Sequence, residues 1–150
     1  MTLLQQTLVR AAGVAPEERI AVVVAEQHRR WWHSAQSSIP NGHTVIQPAN
    51  RGTANGILLA ALSIATHDPL ARLLFLPSDH YIEDESLLAT ALRAAAHGPL
   101  SRGTLMLLGL EATGPDAELG YIVPRSTLRP LAHRCGSAGG YAALTDRRGL

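Results

Sequence analysis

The chain has 150 residues, of which 46% are hydrophobic and 17% are charged, and its formal net charge is +1. This balance is typical of one globular domain and gives no reason to expect a nucleic-acid or membrane partner, since no apolar run approaches the roughly 20 residues of a membrane helix. Because Cys135 is the only cysteine and the start lacks the basic and apolar parts of a signal peptide, we expect a reducing, cytoplasmic location.

Hydrophobic periodicity predicts strands that alternate with helices. Apolar residues recur at helical spacing over 3–11 and stop before Gly13, whereas Ile20–Val24 is a continuous apolar run typical of a strand buried on both faces. The later predicted elements are a helix over 26–35, a turn over 40–42, a strand over 43–47, a mostly buried helix over 53–65, a strand over 72–76, a helix over 85–97, a strand over 104–108 and a strand over 121–123. This order predicts an α/β layered sheet with mainly parallel pairing. We expect residues 134–150, which lack periodicity, to be an unstructured tail.

A polar loop over residues 47–53 leads from a predicted strand into a predicted helix. Gly52 allows close backbone approach, and Thr53 is placed to cap the helix, whose free N–H groups attract anions. Side-chain donors for a phosphate or a base edge are Gln47, Asn50 and Arg51. A plain helix-capping loop with a solvated arginine explains the same residues, because the phosphate-loop signatures do not match.

The strand predicted over 72–76 runs into Pro77, Ser78, Asp79 and His80. A carboxylate at the edge of a sheet is suited to Mg²⁺, which often binds between protein and substrate phosphates. The alternative is a capping aspartate at a strand–helix junction. His80 does not indicate zinc, because no second histidine or cysteine stands at ligand spacing.

Gly120 and Tyr121 form a third candidate segment. They can present backbone amides and an aromatic hydroxyl to a polar small molecule, although these residues alone favour an edge strand that closes the sheet. In the predicted topology all three segments follow the carboxyl ends of strands, which is where open α/β sheets bind ligands.

Taken in order, five stretches resemble the sugar-1-phosphate nucleotidyltransferases, and most closely the mannose-1-phosphate guanylyltransferase branch. They are Leu3–Leu8, Arg19–Val24, Gln47–Ala54, Leu76–His80 and Gly120–Pro124. Together they cover most of the chain up to about residue 130, and the combination of the Gln-Pro loop with Pro-Ser-Asp-His is specific. The resemblance implies a Rossmann-like, three-layer nucleotide-diphospho-sugar transferase domain over residues 1–133.

The reaction that the resemblance implies joins GTP to mannose 1-phosphate and releases GDP-mannose and pyrophosphate. By resemblance, Asp79 is the catalytic residue that holds Mg²⁺, and Gly120 and Tyr121 face the sugar. The residues that would line the nucleotide site are Gln47, Asn50, Arg51, Gly52, Thr53, Pro77 and Ser78. The sequence leaves the oligomeric state open.

The chain departs from the family pattern at two places. The family's Gly-Gly-x-Gly-(Thr/Ser)-Arg loop with its following Pro-Lys is absent, as is its Val-Glu-Lys-Pro segment, and all 13 basic residues are arginine. The resemblance also implies that a first central strand, between Ile20–Val24 and Arg72–Leu76, is missing, so the fold would be incomplete and its open edges would attract other strands. We therefore expect the isolated chain to be inactive. The alternative is a non-catalytic remnant that binds nucleotide weakly or associates with another protein.

Overall fold

A computed structural model describes residues 1–39, 43–99, 104–109, 114–115, 117, 120–122 and 142–146. The chain forms two compact units, Met1–Glu83 and Asp84–Leu150. The turn predicted over 40–42 lies outside the described residues, and the domain boundary expected at residue 133 stays a prediction. Within the described ranges, every helix is too short or too polar to cross a lipid bilayer.

Helix α1 (Leu3–Ala12) opens the first unit and ends at Gly13, as predicted. A capping box starts it: the Gln5 N–H donates to Thr2 Oγ1 at 3.2 Å, and the Thr2 N–H donates to Gln5 Oε1 at 2.8 Å. These two bonds satisfy N–H groups that the first turn of a helix leaves without partners. The helix contributes Leu8 to a small buried core, whose other members are Ile20, Val22 and Ile39.

Strands β1 (Val22–Ala25) and β2 (Thr44–Gln47) pair in parallel, with Val22 opposite Thr44 and Ala25 opposite Gln47. The predicted α/β class with parallel pairing is therefore confirmed. The prediction that the first strand is buried on both faces is wrong, because Val22 alone is buried and the other three residues of β1 are half-buried. The carboxyl ends of the two strands lie side by side at Ala25 and Gln47.

The segment after β1 is not the continuous helix predicted over 26–35. It consists of a 3₁₀ turn (Glu26–His28), helix α2 (Arg29–Trp32) and a second 3₁₀ turn (His33–Ser38). The buried Trp32 donates its indole N–H to the carbonyl of Ala25 at 2.9 Å. This bond ties Trp32 to the end of β1, so a tertiary contact competes with the regular helix that the sequence pattern predicts.

Helix α3 (Thr53–Ala65) has the predicted bounds but not the predicted burial. Only Gly56 and Ala60 are buried, whereas Leu58 is 54% exposed and Leu62 is 59% exposed. The expectation of a mostly buried helix is therefore wrong. The physical reason is that α3 packs on β1 and β2 with one face, and no described residue covers the opposite face of this helix.

The strand predicted over 72–76 is absent, and this prediction is wrong. Leu74 and Phe75 are each 42% exposed. A strand is defined by ladder hydrogen bonds to a neighbour, and in the described part of the chain no strand pairs with this segment. The sheet of the first unit is thus incomplete, with β1 and β2 as its strands.

The second unit contains helix α4 (Glu85–His97), which has the predicted bounds and buries Leu88 and Leu92. The Asp84 carboxylate caps it by accepting a hydrogen bond from the Leu87 N–H at 3.0 Å. The strand predicted over 104–108 is confirmed as β3 (Leu105–Gly109).

Strand β4 (Ala142–Asp146) pairs antiparallel with β3, with Leu105 opposite Asp146 and Gly109 opposite Ala142. The prediction of an unstructured tail is therefore wrong for these five residues, which gain order from the β3 ladder and not from their own periodicity. Tyr121 and Ile122 do not form the strand predicted over 121–123, and residue 123 lies outside the described part.

Candidate functional site

The loop that follows β2 is held by a side-chain hydrogen bond and contains a glycine in an unusual backbone conformation. The Gly52 N–H donates to the Asn50 side-chain oxygen at 3.0 Å, which closes an Asx turn. Gly52 has φ +85° and ψ 171°, a combination that is essentially restricted to glycine. Nothing would lie within 4 Å of a Cβ added at Gly52, and the close approach of a ligand to this backbone stays a prediction.

The first turn of α3 has no side-chain cap. Gly52 occupies the N-cap position and Thr53 is the first helical residue, so the prediction that Thr53 caps the helix is wrong. The carbonyl of Arg51 accepts a hydrogen bond from the Asn55 side chain at 2.7 Å, and residues 48–55 are all exposed. An exposed helix start without a side-chain cap leaves N–H groups of the first turn available to an anion, and the Arg51 guanidinium adds a positive charge beside them.

Gln47 lies between the strand and the helix rather than at the tip of the loop. A Cβ added at Gly56 would lie 2.5 Å from Gln47 Nε2 and 3.6 Å from Val23 Cγ1, so only glycine lets α3 approach β2 with Gln47 in this position. Sequence reasoning missed Gly56. The available signal was a glycine inside a helical run, which costs about 1 kcal/mol relative to alanine and so requires a packing reason.

The Pro-Ser-Asp-His segment is an exposed loop held at one end. The carbonyl of Pro77 accepts a hydrogen bond from the Thr7 hydroxyl of α1 at 3.4 Å. The Asp79 side chain is 83% exposed, and its Oδ1 lies 3.9 Å from Nε2 of His80, whose side chain is 54% exposed. Ser78 is also exposed. The structure thus offers the Asp79 carboxylate to solvent without a strong internal partner.

The described side chains suit Mg²⁺ only if the substrate supplies further ligands to the metal ion. Within the described residues no group of three or more His, Cys, Asp or Glu side chains could hold a metal ion by itself. Mg²⁺ is usually bound by one or two carboxylates together with water and substrate phosphates. One exposed carboxylate, Asp79, fits that mode of binding and does not fit a metal held by protein ligands alone.

Gly120 and Tyr121 belong to the second unit and are both exposed. The Tyr121 hydroxyl donates to the carbonyl of Gly114 at 3.4 Å. This contact holds the ring against the segment that precedes it along the chain. The sugar-facing role of these two residues stays a prediction, as do the nucleotide-binding roles of the first-unit residues.

Comparison with known proteins identifies the family of the chain. The model of the nucleotidyl transferase family matches residues 1–131. The xanthan biosynthesis protein XanB of Xanthomonas campestris pv. campestris is 37% identical over 125 residues, which cover 81% of this chain and 26% of XanB. The mannose-1-phosphate guanylyltransferase of Escherichia coli K12 is 33% identical over 132 residues, which cover 81% of this chain and 26% of that enzyme.

A mannose-1-phosphate guanylyltransferase of Klebsiella pneumoniae is 29% identical over 155 aligned positions, which cover 97% of this chain and 31% of the enzyme. The chain thus spans about a quarter to a third of the length of these curated relatives. No solved structure matches it. The family match extends over well more than half of the chain, and the chain belongs to the nucleotidyl transferase family.

Proposed function

We propose that this chain acts in nucleotidyl transfer of the mannose-1-phosphate guanylyltransferase type. An oxygen of mannose 1-phosphate attacks the α-phosphorus of GTP, the bond from that phosphorus to the β-phosphate bridge breaks, and pyrophosphate leaves with the electron pair of that bond. The observation that carries the proposal is the uncapped start of α3 behind Gly52 at φ +85°. Two relatives whose names state this activity support the choice of substrates.

The residues of the first unit have separate roles in this proposal. Asn50 fixes the turn, and the N–H groups of the first turn of α3 with the Arg51 guanidinium bind phosphate oxygens. Asp79 would hold Mg²⁺, which when bound neutralises charge on the phosphates. Catalysis then comes mainly from positioning and charge stabilisation, because phosphoryl transfer leaves little covalent work to the protein.

We also propose that these 150 residues alone bind Mg²⁺-GTP but do not turn it over. They contain no lysine and no Gly-Gly-x-Gly-(Thr/Ser)-Arg sequence that could neutralise the triphosphate. Loss of one preorganised donor at a reacting centre costs about 3 kcal/mol, so the loss of several would leave no useful rate.

Two measurements on the chain test this proposal. Calorimetry should show GTP binding that strengthens with Mg²⁺, and Asp79→Asn should remove the effect of Mg²⁺ while leaving the metal-free affinity unchanged. ATP and other sugar 1-phosphates, measured in parallel, test the choice of base and sugar. A GTP affinity that changes neither with Mg²⁺ nor in Asp79→Asn would contradict the proposal that Asp79 holds the metal ion. Pyrophosphate release above background that is lost in Asp79→Ala would contradict the proposed inactivity of the isolated chain and support the reaction itself.

A second candidate function, a role in protein association, is favoured by one observation. Several large apolar side chains of the first unit are exposed; among them are Leu58 at 54%, Leu62 at 59% and Leu70 at 69%. Exposed apolar surface of this kind marks contact surfaces in soluble proteins. Sedimentation at several concentrations measures the mass of the particle and so distinguishes the two functions. A chain that binds GTP and stays a monomer needs no partner to cover this surface, whereas a mass that rises with concentration favours association.

A further inference from the structure

Two buried polar side chains of α1 connect that helix to the loop that carries Asp79. Thr7 is 7% exposed and Arg10 is 6% exposed. Arg10 Nη1 donates to Thr7 Oγ1 at 3.3 Å, and Thr7 Oγ1 donates to the carbonyl of Pro77 at 3.4 Å. The connection spans 70 positions of the sequence and joins a regular helix to an irregular loop.

The direction of each hydrogen bond is fixed by the chemistry of its ends. A guanidinium group only donates, and a carbonyl oxygen only accepts. The Thr7 hydroxyl must therefore accept from Arg10 and donate its single proton to Pro77. A charged donor at the start of such a chain strengthens the following bond, and a buried site keeps water from competing for it.

The loop from Pro77 to His80 has little else to hold it. It belongs to neither a helix nor a strand, its residues are exposed, and the Asp79 carboxylate meets only the neighbouring His80 at 3.9 Å. Among the described residues, the hydrogen bond from Thr7 is the one that ties this loop to another element of the first unit. The Pro77 ring restricts φ at the point of attachment, so fixing its carbonyl orients Ser78, the one residue between Pro77 and Asp79.

We propose that Thr7 is a positioning residue for Asp79, acting through the Pro77 carbonyl with Arg10 as the supporting donor. The inference rests on the proposed function, in which Asp79 holds Mg²⁺ between the protein and the GTP phosphates. It goes beyond that function by making metal affinity depend on a helix that contributes no ligand.

The first test measures loop position without nucleotide or metal. Tyr81 is 72% exposed just after the loop, and Trp31 is 67% exposed elsewhere in the first unit. Under native conditions, limited chymotrypsin cleavage after each residue is quantified by mass spectrometry. Thr7→Val removes the hydroxyl and keeps the shape, so cleavage after Tyr81 should rise by about threefold or more relative to cleavage after Trp31, because local opening controls proteolysis.

Two variants separate positioning from general destabilisation. Thr7→Ser restores the hydroxyl and should restore the cleavage ratio of the original chain. Thr90→Val makes the same chemical change at an exposed threonine of α4, whose hydroxyl donates to the Ser86 carbonyl at 2.9 Å, and should leave the ratio unchanged. Equal increases at Tyr81 and Trp31 in Thr7→Val would show that the variant merely loosens the unit, and would overturn the proposal.

The second test measures the Mg²⁺ concentration at which GTP binding is half enhanced. Thr7→Val should raise this midpoint by about threefold to tenfold, less than the tenfold to hundredfold typical of direct supports of metal ligands, with the metal-free GTP affinity unchanged. Thr7→Ser should keep the original midpoint. If Asp79→Asn abolishes the Mg²⁺ effect and Thr7→Val leaves the midpoint unchanged, the positioning role is wrong and the proposed function stands. If Asp79→Asn leaves the effect of Mg²⁺ on GTP binding unchanged, the proposed function fails. The cleavage ratio still decides whether Thr7 holds the loop.

Discussion

Helices α3 and α4 have equal lengths of 13 residues, yet they differ at their starts and along their faces. Helix α4 starts at an aspartate side chain that caps it, and it buries Leu88 and Leu92 within its own unit. Helix α3 starts at Gly52 with no side-chain cap and buries only Gly56 and Ala60. The comparison separates a capped helix that buries large apolar side chains from an uncapped helix whose start and outer face are exposed.

The difference follows from the distribution of apolar residues. In α4 they follow one face, as expected for a helix that covers a core. In α3 they surround the helix, and the leucines at 58 and 62 face away from the two strands that the helix covers. The missing side-chain cap costs little stability here, because glycine at the N-cap position is only roughly a few tenths of a kcal/mol worse than a capping side chain. The uncapped start of α3 is consistent with anion binding there.

The largest expected effect comes from truncating one leucine in each helix. Leu92 is 1% exposed, so Leu92→Ala should lower the free energy of unfolding by about 2–5 kcal/mol. Leu62 is 59% exposed, so Leu62→Ala should change it by less than about 0.5 kcal/mol. Urea denaturation followed by circular dichroism measures both. A similar loss in the two variants would mean that a partner covers the outer face of α3 in solution.

The backbone at the start of α3 provides the next largest effect. Gly52→Ala forces an L residue into a glycine-only conformation, and the expected loss is about 1–3 kcal/mol. Added bulk does not contribute, because nothing lies within 4 Å of the new Cβ. Gly114→Ala is the matched control, since that position is equally open and has no positive φ. Equal thermal stability of the two variants would contradict the assigned geometry of the loop.

A smaller effect on stability is expected where α3 meets β2. Gly56→Ala gains about 1 kcal/mol of helix propensity, but its Cβ displaces the Gln47 amide, which lies 2.5 Å from the new atom. These contributions oppose each other, so the free energy of unfolding should change by less than about 1 kcal/mol. The affinity for Mg²⁺-GTP should fall severalfold if Gln47 shapes the nucleotide loop. Ala60→Ser, at the other buried position of the same helix face, should leave this affinity unchanged.

Local signals in the sequence were enough to predict much of the fold. The bounds of α3 and α4 and the stop of α1 at Gly13 depend on periodicity and caps within a few residues, and all were predicted. Two errors are local, namely the continuous helix predicted over 26–35 and the cap predicted at Thr53, and the others concern long-range pairing. Residues 72–76 have the composition of a strand, but no strand among the described residues pairs with them. Ala142–Asp146 has only weak hydrophobic periodicity and is ordered by its pairing with β3. Burial of α3 failed for the same reason.

The candidate site shows the same difference between local structure and contacts that are distant in the sequence. The backbone conformation of Gly52 depends on the turn formed with its neighbour Asn50, and its role at a nucleotide site stays a prediction. The Thr7–Pro77 hydrogen bond joins residues 70 positions apart, and no local pattern indicates it. Gln47 was placed correctly at the end of β2, but its packing on Gly56 depends on how closely a helix approaches a sheet. Sequence therefore placed these residues on their elements but did not predict their side-chain contacts.

The smallest expected effect is the pH dependence of the stability of α4, which is the capped helix of the two compared. A hydrogen bond from the Ser86 hydroxyl, and then one from the Leu87 N–H, holds the pKa of Asp84 below its usual value. The folded chain therefore binds fewer protons than the unfolded chain as the pH falls below the ordinary aspartate pKa of about 3.9. The cap's contribution is present at neutral pH and is lost as the pH falls through the lowered pKa. The amide resonance of Leu87, followed by NMR during acidification, should report this loss. Asp84→Asn keeps a capping oxygen without a titrating group, so a Leu87 transition that persists in this variant would assign the acid sensitivity of α4 to another carboxylate.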